Sequence, residues 1–232
     1  MSNYVYGKNS FYEALNSSRI IKAYLLDDKI TDELRKKKIP YEIVERRVLD
    51  KMSKSNNHQG YLAEVQEFKL SSVDEMIKDK DGFIVILDGL KDVHNLGAII
   101  RTCDCANVDG VIYKTHNSVK VNDTVAKVAS GALEYVKVAE VTNLVNTIKH
   151  LKDKGYWVIG TDAYADSYYT DLKYDMNVVL IIGSEGEGIS RLVKQECDFM
   201  IKLPMKGHVT SLNASVAAGI MIYNVLEKRG IK

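Results

Sequence analysis

The stretch FIVILDGL at residues 83–90 decides the fold. It is an almost unbroken apolar run, which is typical of a β-strand buried on both faces of a parallel sheet. Similar apolar strands follow it, and helical segments alternate with them, which predicts an α/β domain with a mostly parallel sheet. The strands are at 110–113, 134–138, 156–160 and 178–182, and the helices at 95–108, 122–129, 141–152, 189–196 and 211–228.

The elements upstream of this region are shorter and more polar. They predict a helix at 7–16, a strand at 20–26, a helix at 30–38, a strand at 41–45, a helical turn at 48–53 and a strand at 60–66. A polar stretch then carries a short helix and ends in KDKDG. We therefore expect three parts: a small α/β domain at 1–70, a linker at 71–81 and the larger α/β domain at 82–232.

Net charge is small for the whole chain but unevenly distributed. The 232 residues hold 32 Lys and Arg and 31 Asp and Glu, a formal charge of +1, which disfavours a polycationic nucleic-acid binder. Residues 1–63, however, carry +4 and the remainder −3. The basic first part is either a solvated helix surface or a docking surface for an anionic polymer.

The three cysteines form no CxxC pair, so neither a disulfide framework nor a zinc site is expected. The first residues do not follow the pattern of a signal peptide, and the longest apolar runs are far short of the ~20 residues of a membrane span. We therefore expect a cytoplasmic protein without a metal or a membrane partner. A dinucleotide-dependent oxidoreductase is disfavoured because no GxGxxG follows the first strand.

Three loops carry residues suited to chemistry. The first begins a helix with Asn95, a candidate N-cap, and Arg101 follows six residues later. The two side chains either project toward one cleft or are simply a capping Asn and a surface Arg. The second loop, GSEGEGIS at 183–190, is either a tight turn or a surface that approaches a ligand closely. The third, LPMKGHVTSLNASVAAG at 203–219, places Ser211 or Asn213 at the start of the last helix.

The motifs NLGAIIR, IIGSEGEGIS and LPMKGHVTSLNASVAAGI resemble, in order and spacing, those of the SpoU/TrmH family of RNA 2′-O-ribose methyltransferases. VYGKNSFYEAL and HQGYLAEV resemble segments of that family's ribosomal-protein-like substrate-binding domain. The resemblance implies a deep trefoil knot in the second domain, a homodimer, and S-adenosylmethionine as cofactor. It implies cofactor contacts from Thr161, Gly183, Leu203, Met205 and Leu212.

The resemblance also implies the catalytic residues Asn95, Arg101, Glu185, Ser211 and Asn213. Arg101 either helps to deprotonate the ribose hydroxyl or, because a guanidinium is hard to deprotonate, stabilises the alkoxide and holds a phosphate. In the first domain Lys8, His58 and Gln59 are expected RNA contacts, although a purely structural turn at His58 and Gln59 is an alternative.

The two-domain layout is most similar to relatives that methylate a guanosine in 23S rRNA. Two alternatives stay open at this point. One is a tRNA 2′-O-methyltransferase, and the other is an RNA-binding or ribosome-assembly factor that keeps the fold without catalysis.

Overall fold

The computed structural model describes residues 3–54, 57–116 and 118–230. The chain forms two compact units, Met1–Lys69 and Leu70–Lys232. Each unit has its own sheet and its own hydrophobic core. Within the described ranges, every helix is too short or too polar to span a lipid bilayer.

The first unit is a four-stranded sheet with three helices. Its elements are β1 (Asn3–Tyr6), α1 (Lys8–Asn16), β2 (Ile20–Leu25), α2 (Thr31–Lys36), β3 (Tyr41–Ile43), α3 (Arg46–Ser53) and β4 (Tyr61–Val65). The strand order is β1-β4-β2-β3; β4 runs antiparallel to both neighbours, and β3 runs parallel to β2. Strand β1 was not predicted, and the other elements lie within a few residues of their predicted bounds.

One face of this sheet holds the core of the first unit. Phe11 and Leu15 of α1 and Leu34 of α2 are fully buried in one cluster with Ala23 and Ala63 of the sheet. The alternation of strand residues then places the neighbouring side chains on the opposite face. Helix α3 packs against β1 and β4.

The second unit alternates strands and helices. Its elements are β5 (Phe83–Asp88), α4 (Val93–Cys105), β6 (Gly110–Lys114), α5 (Asp123–Ala129), β7 (Lys137–Val141), α6 (Leu144–Asp153), β8 (Tyr156–Thr161), β9 (Ser167–Tyr168), β10 (Asn177–Gly183), α7 (Arg191–Gln195), β11 (Phe199–Lys202) and α8 (Ala214–Lys228). Short 3-10 helices lie at Asp74–Met76 and Ala132–Glu134. Strand β7 begins later than predicted because the 3-10 helix occupies the residues before it, and β9 and β11 were not predicted.

All seven strands of this sheet run parallel, in the order β7-β6-β5-β10-β8-β11-β9. The predicted α/β class with a mostly parallel sheet is therefore confirmed. Strand β10 occupies the centre and pairs with β5 and β8, both of which precede it in the chain. The trefoil knot is a question of how the chain is threaded, and it stays a prediction.

Helices cover both faces of the sheet. On one face, Val85, Leu87 and Leu180 belong to a core shared with α4, α5 and α8. On the other, Ile84 and Ile86 belong to a core shared with α6. Adjacent residues of β5 thus point into different cores, which explains why its sequence is apolar without alternation.

The segment 71–81, expected to be a linker, belongs to the second unit. The Ser71 N–H donates to the carbonyl oxygen of Val138 at 2.8 Å, and the Lys78 N–H donates to the Tyr156 hydroxyl at 2.9 Å. Met76 is buried among the side chains of the second core. These contacts fix the segment to the sheet and helices of the second unit.

Arg229, immediately after α8, fastens the end of that helix to the sheet. Its guanidinium donates hydrogen bonds to the carbonyl oxygens of Asp81, Gly82, Tyr174 and Met176 at 2.7–3.1 Å. Burial lowers its pKa from the ordinary value. The fork geometry of arginine lets one side chain satisfy carbonyls just before both β5 and β10.

Candidate active site

Segments following β8, β10 and β11 meet at the carboxyl edge of the sheet and enclose a cavity of about 340 Å³. That volume lies within the roughly 300–1,000 Å³ of small-molecule sites. All five expected cofactor contacts line the cavity: Thr161, Gly183, Leu203, Met205 and Leu212. Glu185 and Ser211 line it as well. The structure therefore brings together residues separated by up to about fifty positions in sequence.

The lining combines an apolar wall with acidic groups, and its chemistry fits S-adenosylmethionine. Side chains such as Leu203, Leu212 and Met221 offer a surface for a purine ring, and Glu185 offers a carboxylate for a cationic group. Asp162 also lines the cavity, but its carboxylate is paired with Lys194. A hydrogen bond from Lys194 holds the pKa of Asp162 below its ordinary value. In the described parts of the chain, no group of three or more His, Cys, Asp or Glu side chains is placed to hold a metal ion.

The glycine-rich loop after β10 is a tight turn that also lines the cavity. The backbones of Ser184 and Gly188 exchange two hydrogen bonds of 3.1 Å, and Gly188 has a positive φ of 67°. A side chain on Gly183 would collide with the backbone of Gly188 and Ile189. The interpretation as a tight turn is confirmed, and the turn forms one wall of the cavity; a close approach to a ligand stays a prediction.

Asn213 is the N-cap of α8. Its Oδ1 accepts hydrogen bonds from the backbone N–H groups of Ser215 at 3.0 Å and Val216 at 3.3 Å. This cap fixes the orientation of the amide, so Nδ2 points away from the helix. Nδ2 donates to Asn95 Oδ1 at 2.9 Å and to Glu185 Oε1 at 2.8 Å.

Glu185 joins the three sequence motifs through one oxygen. Its Oε1 accepts from Asn95 Nδ2 at 2.9 Å, from Asn213 Nδ2 and, at 3.3 Å, from the Ala214 backbone N–H. Hydrogen bonds from residues that the structure describes all reach Oε1, and none reaches Oε2. The network holds the carboxylate in one orientation and leaves its second oxygen available to a ligand.

The structure corrects the expectation that Asn95 caps its helix. Helix α4 begins at Val93, and Asp92 is the N-cap, with Oδ1 accepting from the His94 N–H at 2.9 Å. Asn95 therefore lies in the first turn, is only 4% exposed, and has its amide free for the network with Glu185. The acidic residue just before the helix was the signal that sequence reasoning overlooked.

Arg101 lies apart from that network. Its side chain is exposed on α4, and it makes no hydrogen bond or ion pair with any residue that the structure describes. Six residues at 100° each leave it about 120° around the helix from Asn95 and about 9 Å along the axis. The two side chains therefore do not project in the same direction, although both belong to the same motif.

A second cavity of about 220 Å³ adjoins the first. Asn95 lines it together with Lys91 and Asp92 of the β5–α4 loop. Residues 184–187 line both cavities, so Glu185 lies at the boundary between them. Lys91 and Asp92 were not predicted as site residues.

The expected RNA contacts of the first unit divide into two kinds. His58 is 1% exposed: its Nε2 lies 3.0 Å from Asp50 Oδ1, and its Nδ1 accepts the Gly60 N–H at 3.0 Å. Both ring nitrogens are used inside the protein, which supports the structural alternative for His58; its contact with RNA stays a prediction. Gln59 and Lys8 are exposed and adjacent, with Gln59 Oε1 accepting the Lys8 backbone N–H at 3.1 Å.

Comparisons with known proteins agree with this geometry. The model of the SpoU rRNA Methylase family matches residues 82–223, and that of the RNA 2′-O ribose methyltransferase substrate binding domain matches residues 4–71. The chain is 42% identical to the putative TrmH family tRNA/rRNA methyltransferase YacO of Bacillus subtilis (strain 168), covering 98% of this chain and 96% of that protein. It is 43% identical to a putative TrmH family tRNA/rRNA methyltransferase of Staphylococcus saprophyticus, covering 97% and 95%.

Solved structures share the fold, and two of them are described as bound to AdoMet. The SpoU methyltransferase AviRb from Streptomyces viridochromogenes, in complex with AdoMet, has a TM-score of 0.78 at 21% identity, covering 98% of this chain and 90% of that one. An AdoMet-bound rRNA methyltransferase from Sinorhizobium meliloti has a TM-score of 0.77 at 21% identity, covering 100% and 88%.

The methylase family model matches the unit that holds the parallel sheet and the cavity, and the substrate-binding model matches the N-terminal unit; together they define the class of protein as an RNA methyltransferase. The chain belongs to the SpoU rRNA Methylase family. As a member of that family, it is an S-adenosylmethionine-dependent RNA methyltransferase. The resemblance read from its three motifs is thus confirmed.

Proposed function

We propose that the protein methylates a ribose 2′-hydroxyl of RNA, and that its target is a guanosine in 23S rRNA. The observation that carries the proposal is the hydrogen-bonded group Asn95–Glu185–Asn213, which lies where two cavities meet. A donor site and an acceptor site that share one wall are what a group transfer requires.

The larger cavity is the proposed cofactor site. Thr161, Gly183, Leu203, Met205 and Leu212 would hold the cofactor, with the apolar side chains against its adenine. S-adenosylmethionine supplies a methyl group on a sulfonium, which is already a good leaving group. The protein's task is therefore to position the hydroxyl, exclude water and remove one proton.

The smaller cavity is the proposed site of the acceptor ribose. Asn95 and Glu185 line it, and the network that fixes Glu185 keeps Oε2 in a constant position for a hydrogen bond from the hydroxyl. Ser211 and Asn213 approach the same boundary from the start of α8. Preorganised polar groups of this kind lower the cost of aligning the reacting atoms.

We assign Arg101 a cationic role, in which its exposed guanidinium holds a phosphate of the bound RNA. Arginine is not deprotonated in proteins, and the exposed guanidinium lacks a carboxylate partner among the described residues, so it can take an anionic one. Arg101→Ala is expected to remove most methyl transfer and leave cofactor binding intact. Lys154→Ala, which removes an exposed cation elsewhere on the second unit, is the matched control and should retain activity.

The share of this chain that each solved structure matches favours rRNA over tRNA as the substrate. The rRNA methyltransferase from Sinorhizobium meliloti matches 100% of this chain, whereas the TrmH/SpoU tRNA modifying enzyme of A. aeolicus matches 67% at 30% identity. The names of both curated relatives include tRNA as well as rRNA, so tRNA is the second candidate substrate.

The test is methyl transfer from labelled S-adenosylmethionine to total RNA from a strain lacking the gene, followed by mapping of the methylated position. Label on a guanosine ribose of 23S rRNA supports the full proposal. Label in tRNA would overturn the rRNA part alone. Absence of label from every RNA, with the cofactor bound, would favour a non-catalytic RNA-binding or assembly factor.

We also propose that the protein is a homodimer. Helix α8 exposes an apolar stripe at Val216, Ile220 and Tyr223, which are 50%, 38% and 49% exposed and lie at helical spacing. Ile220→Asp should convert a dimer to a monomer in sedimentation analysis. A wild-type protein that sediments as a monomer would contradict this proposal.

A cytoplasmic location is the last part of the proposal. It is supported by the rRNA substrate proposed above and by three free cysteines, Cys103, Cys105 and Cys197. Fractionation of cells expressing the tagged protein tests it, and recovery with the membrane or an exported fraction would contradict it.

A further inference from the structure

Tyr164 lies in solvent at the rim of the larger cavity. It is 93% exposed, more than any other large hydrophobic residue that the structure describes. Among the described residues that line this cavity, it is the only aromatic one. Large aromatic side chains are usually more deeply buried, because an exposed ring leaves much apolar surface in water. Tyr164 therefore offers an uncovered ring beside the space that a small molecule would fill.

A tight turn presents Tyr164. Strand β8 ends at Thr161, and in the turn that follows the Ala165 N–H donates to the carbonyl oxygen of Asp162 at 3.2 Å. The Asp162 side chain reinforces the turn, because its Oδ1 accepts the Tyr164 N–H at 2.7 Å. Its other oxygen, Oδ2, lies 2.5 Å from Lys194 Nζ. Both carboxylate oxygens thus hold the protein's own groups, in the manner of an Asx turn with an added ion pair.

Hydrogen bonds also fasten the turn to the sheet. The Asp162 N–H donates to the carbonyl oxygen of Ile201 in β11 at 3.0 Å, and the Thr161 hydroxyl donates to that of Ile181 in β10 at 3.1 Å. The backbone at Tyr164 therefore has a fixed position, and the freedom that remains is in the side chain. A tyrosine has only two such torsions, so ordering its ring against a ligand costs little conformational entropy.

The position of Tyr164 indicates which part of the cofactor it can contact. In the proposed function the transferred methyl lies beside Glu185, where the two cavities meet. Tyr164 lines the larger cavity but not the smaller one, so it lies toward the parts of the cofactor away from the methyl. These parts are the adenosine and the amino-acid end. The face of a phenol ring is electron-rich, so it stacks on a purine and repels a carboxylate.

We propose that Tyr164 is a further cofactor-binding residue, whose ring closes over the adenine of S-adenosylmethionine. The turn supplies a fixed support, and rotation of the side chain alone brings the ring onto the base. Closure buries the exposed ring and removes water from the outer side of the adenine. The inference rests on the proposed cofactor site and adds to it an aromatic cover that the cavity otherwise lacks among its described residues.

The first test is calorimetric binding of S-adenosylhomocysteine to the full-length protein. Tyr164→Ala should weaken binding at least about fivefold, since stacking of an aromatic side chain on a nucleobase contributes substantially. Tyr164→Phe keeps the ring and should bind nearly as the wild type does. Tyr135→Ala is the matched control, because it removes a tyrosine that is 80% exposed on the same unit but lies outside both cavities. Equal affinities of Tyr164→Ala and the wild type would overturn the proposal.

A second ligand tests the contact with adenine. Methylthioadenosine keeps the adenosine but lacks the amino-acid end of the cofactor. If the ring covers the adenine, Tyr164→Ala should lose affinity for methylthioadenosine by about the same factor as for S-adenosylhomocysteine. A loss confined to S-adenosylhomocysteine would place the ring on the amino-acid end, where a cation–π contact with the ammonium is the alternative, and would overturn the proposal.

Chemical protection tests closure on the wild type, so the result does not depend on the folding of a variant. Tetranitromethane should nitrate both Tyr164 and Tyr135 in the free protein, as measured by peptide mass spectrometry. Saturating S-adenosylhomocysteine should slow nitration of Tyr164 and leave that of Tyr135 unchanged. Unchanged nitration of Tyr164 while the ligand is bound would overturn the cover and leave the proposed function intact. Failure of the wild type to bind any of these ligands would instead contradict the proposed cofactor site itself.

Discussion

Substitution of Asn213 separates two roles of one side chain. Its Oδ1 caps α8, and its Nδ2 donates to Asn95 and Glu185. Asn213→Ser keeps a capping oxygen but removes the donor, whereas Asn213→Ala removes both. Asn213→Asp keeps the cap and replaces the donor with a carboxylate facing Glu185.

The expected losses follow from burial and geometry. Removal of an N-cap costs about 0.5–2 kcal/mol. Removal of the donor leaves Asn95 Oδ1, on a side chain 4% exposed, without its 2.9 Å partner, which costs about 1–3 kcal/mol. We expect Asn213→Ser, which loses only the donor, to lower the free energy of unfolding by about 1–3 kcal/mol, and Asn213→Ala, which loses the donor and the cap, by about 1.5–5 kcal/mol.

Asn213→Asp should add a dependence on pH. Two carboxylates about 4 Å apart repel by about 4 kcal/mol at an effective dielectric constant of 20, and by less where solvent screens them. Repulsion raises the pKa of the pair in the folded state above its unfolded value. The folded protein is then relatively more stable at low pH, and that stability is lost as pH rises through the raised pKa.

The fluorescence of Trp157 makes the unfolding measurement specific to the second unit. It is the sole tryptophan of the chain, lies on β8 and contacts the ring of Phe199, so its fluorescence reports on the second unit. Urea unfolding of the three variants and the wild type at about pH 5 and about pH 8 gives the free energies. The reasoning is refuted if Asn213→Ala costs less than about 0.5 kcal/mol, or if Asn213→Asp and Asn213→Ser show the same pH dependence.

Three further predictions concern packing, anchoring and titration. Gly97→Ala should lower the free energy of unfolding in urea by about 1–3 kcal/mol, because the new Cβ would lie 2.6 Å from a side-chain carbon of α5. Gly219→Ala is the control: its Cβ would lie 4.0 Å from the nearest atom, so the change should be neutral or stabilising. Arg229→Lys should lower the midpoint of thermal unfolding by several degrees, because a lysine cannot reach all four carbonyls; an unchanged midpoint would contradict the anchoring role. Burial raises the pKa of Tyr113 and Tyr174 to about 12 from an ordinary value of 10.0. Both phenols should therefore ionise late in an ultraviolet titration, and the free energy of unfolding should fall as pH rises from 10.0 to about 12.

The sequence predicted those strands of the second unit whose burial on both faces makes them continuously apolar. Strands such as β5 and β10 are buried on both faces, so their apolar runs were visible without any partner. Strands β1, β9 and β11 are only two to four residues long, and their pairing with distant strands is what makes them strands. No local pattern records such pairing.

The candidate site was predicted less completely. The motif resemblance identified residues that do line one cavity. Neither the spacing nor the resemblance indicated that Glu185 Oε1 accepts hydrogen bonds from side chains of two other segments. The alternatives for His58 stayed open for a related reason, since its burial depends on contacts with Asp50 and Gly60 that only the folded chain provides. Polar residues acquire their roles from tertiary partners, which a single sequence does not contain.

The central position of β10 has a consequence for synthesis of the chain. Its Val178 pairs with Phe83 of β5, which leaves the ribosome about 5–20 s earlier at typical elongation rates. During that interval β5 can pair with β6 but exposes its other edge, an apolar strand with free backbone groups. A nascent chain in this state is vulnerable to aggregation, and slowed translation before β10 should increase its demand for chaperones.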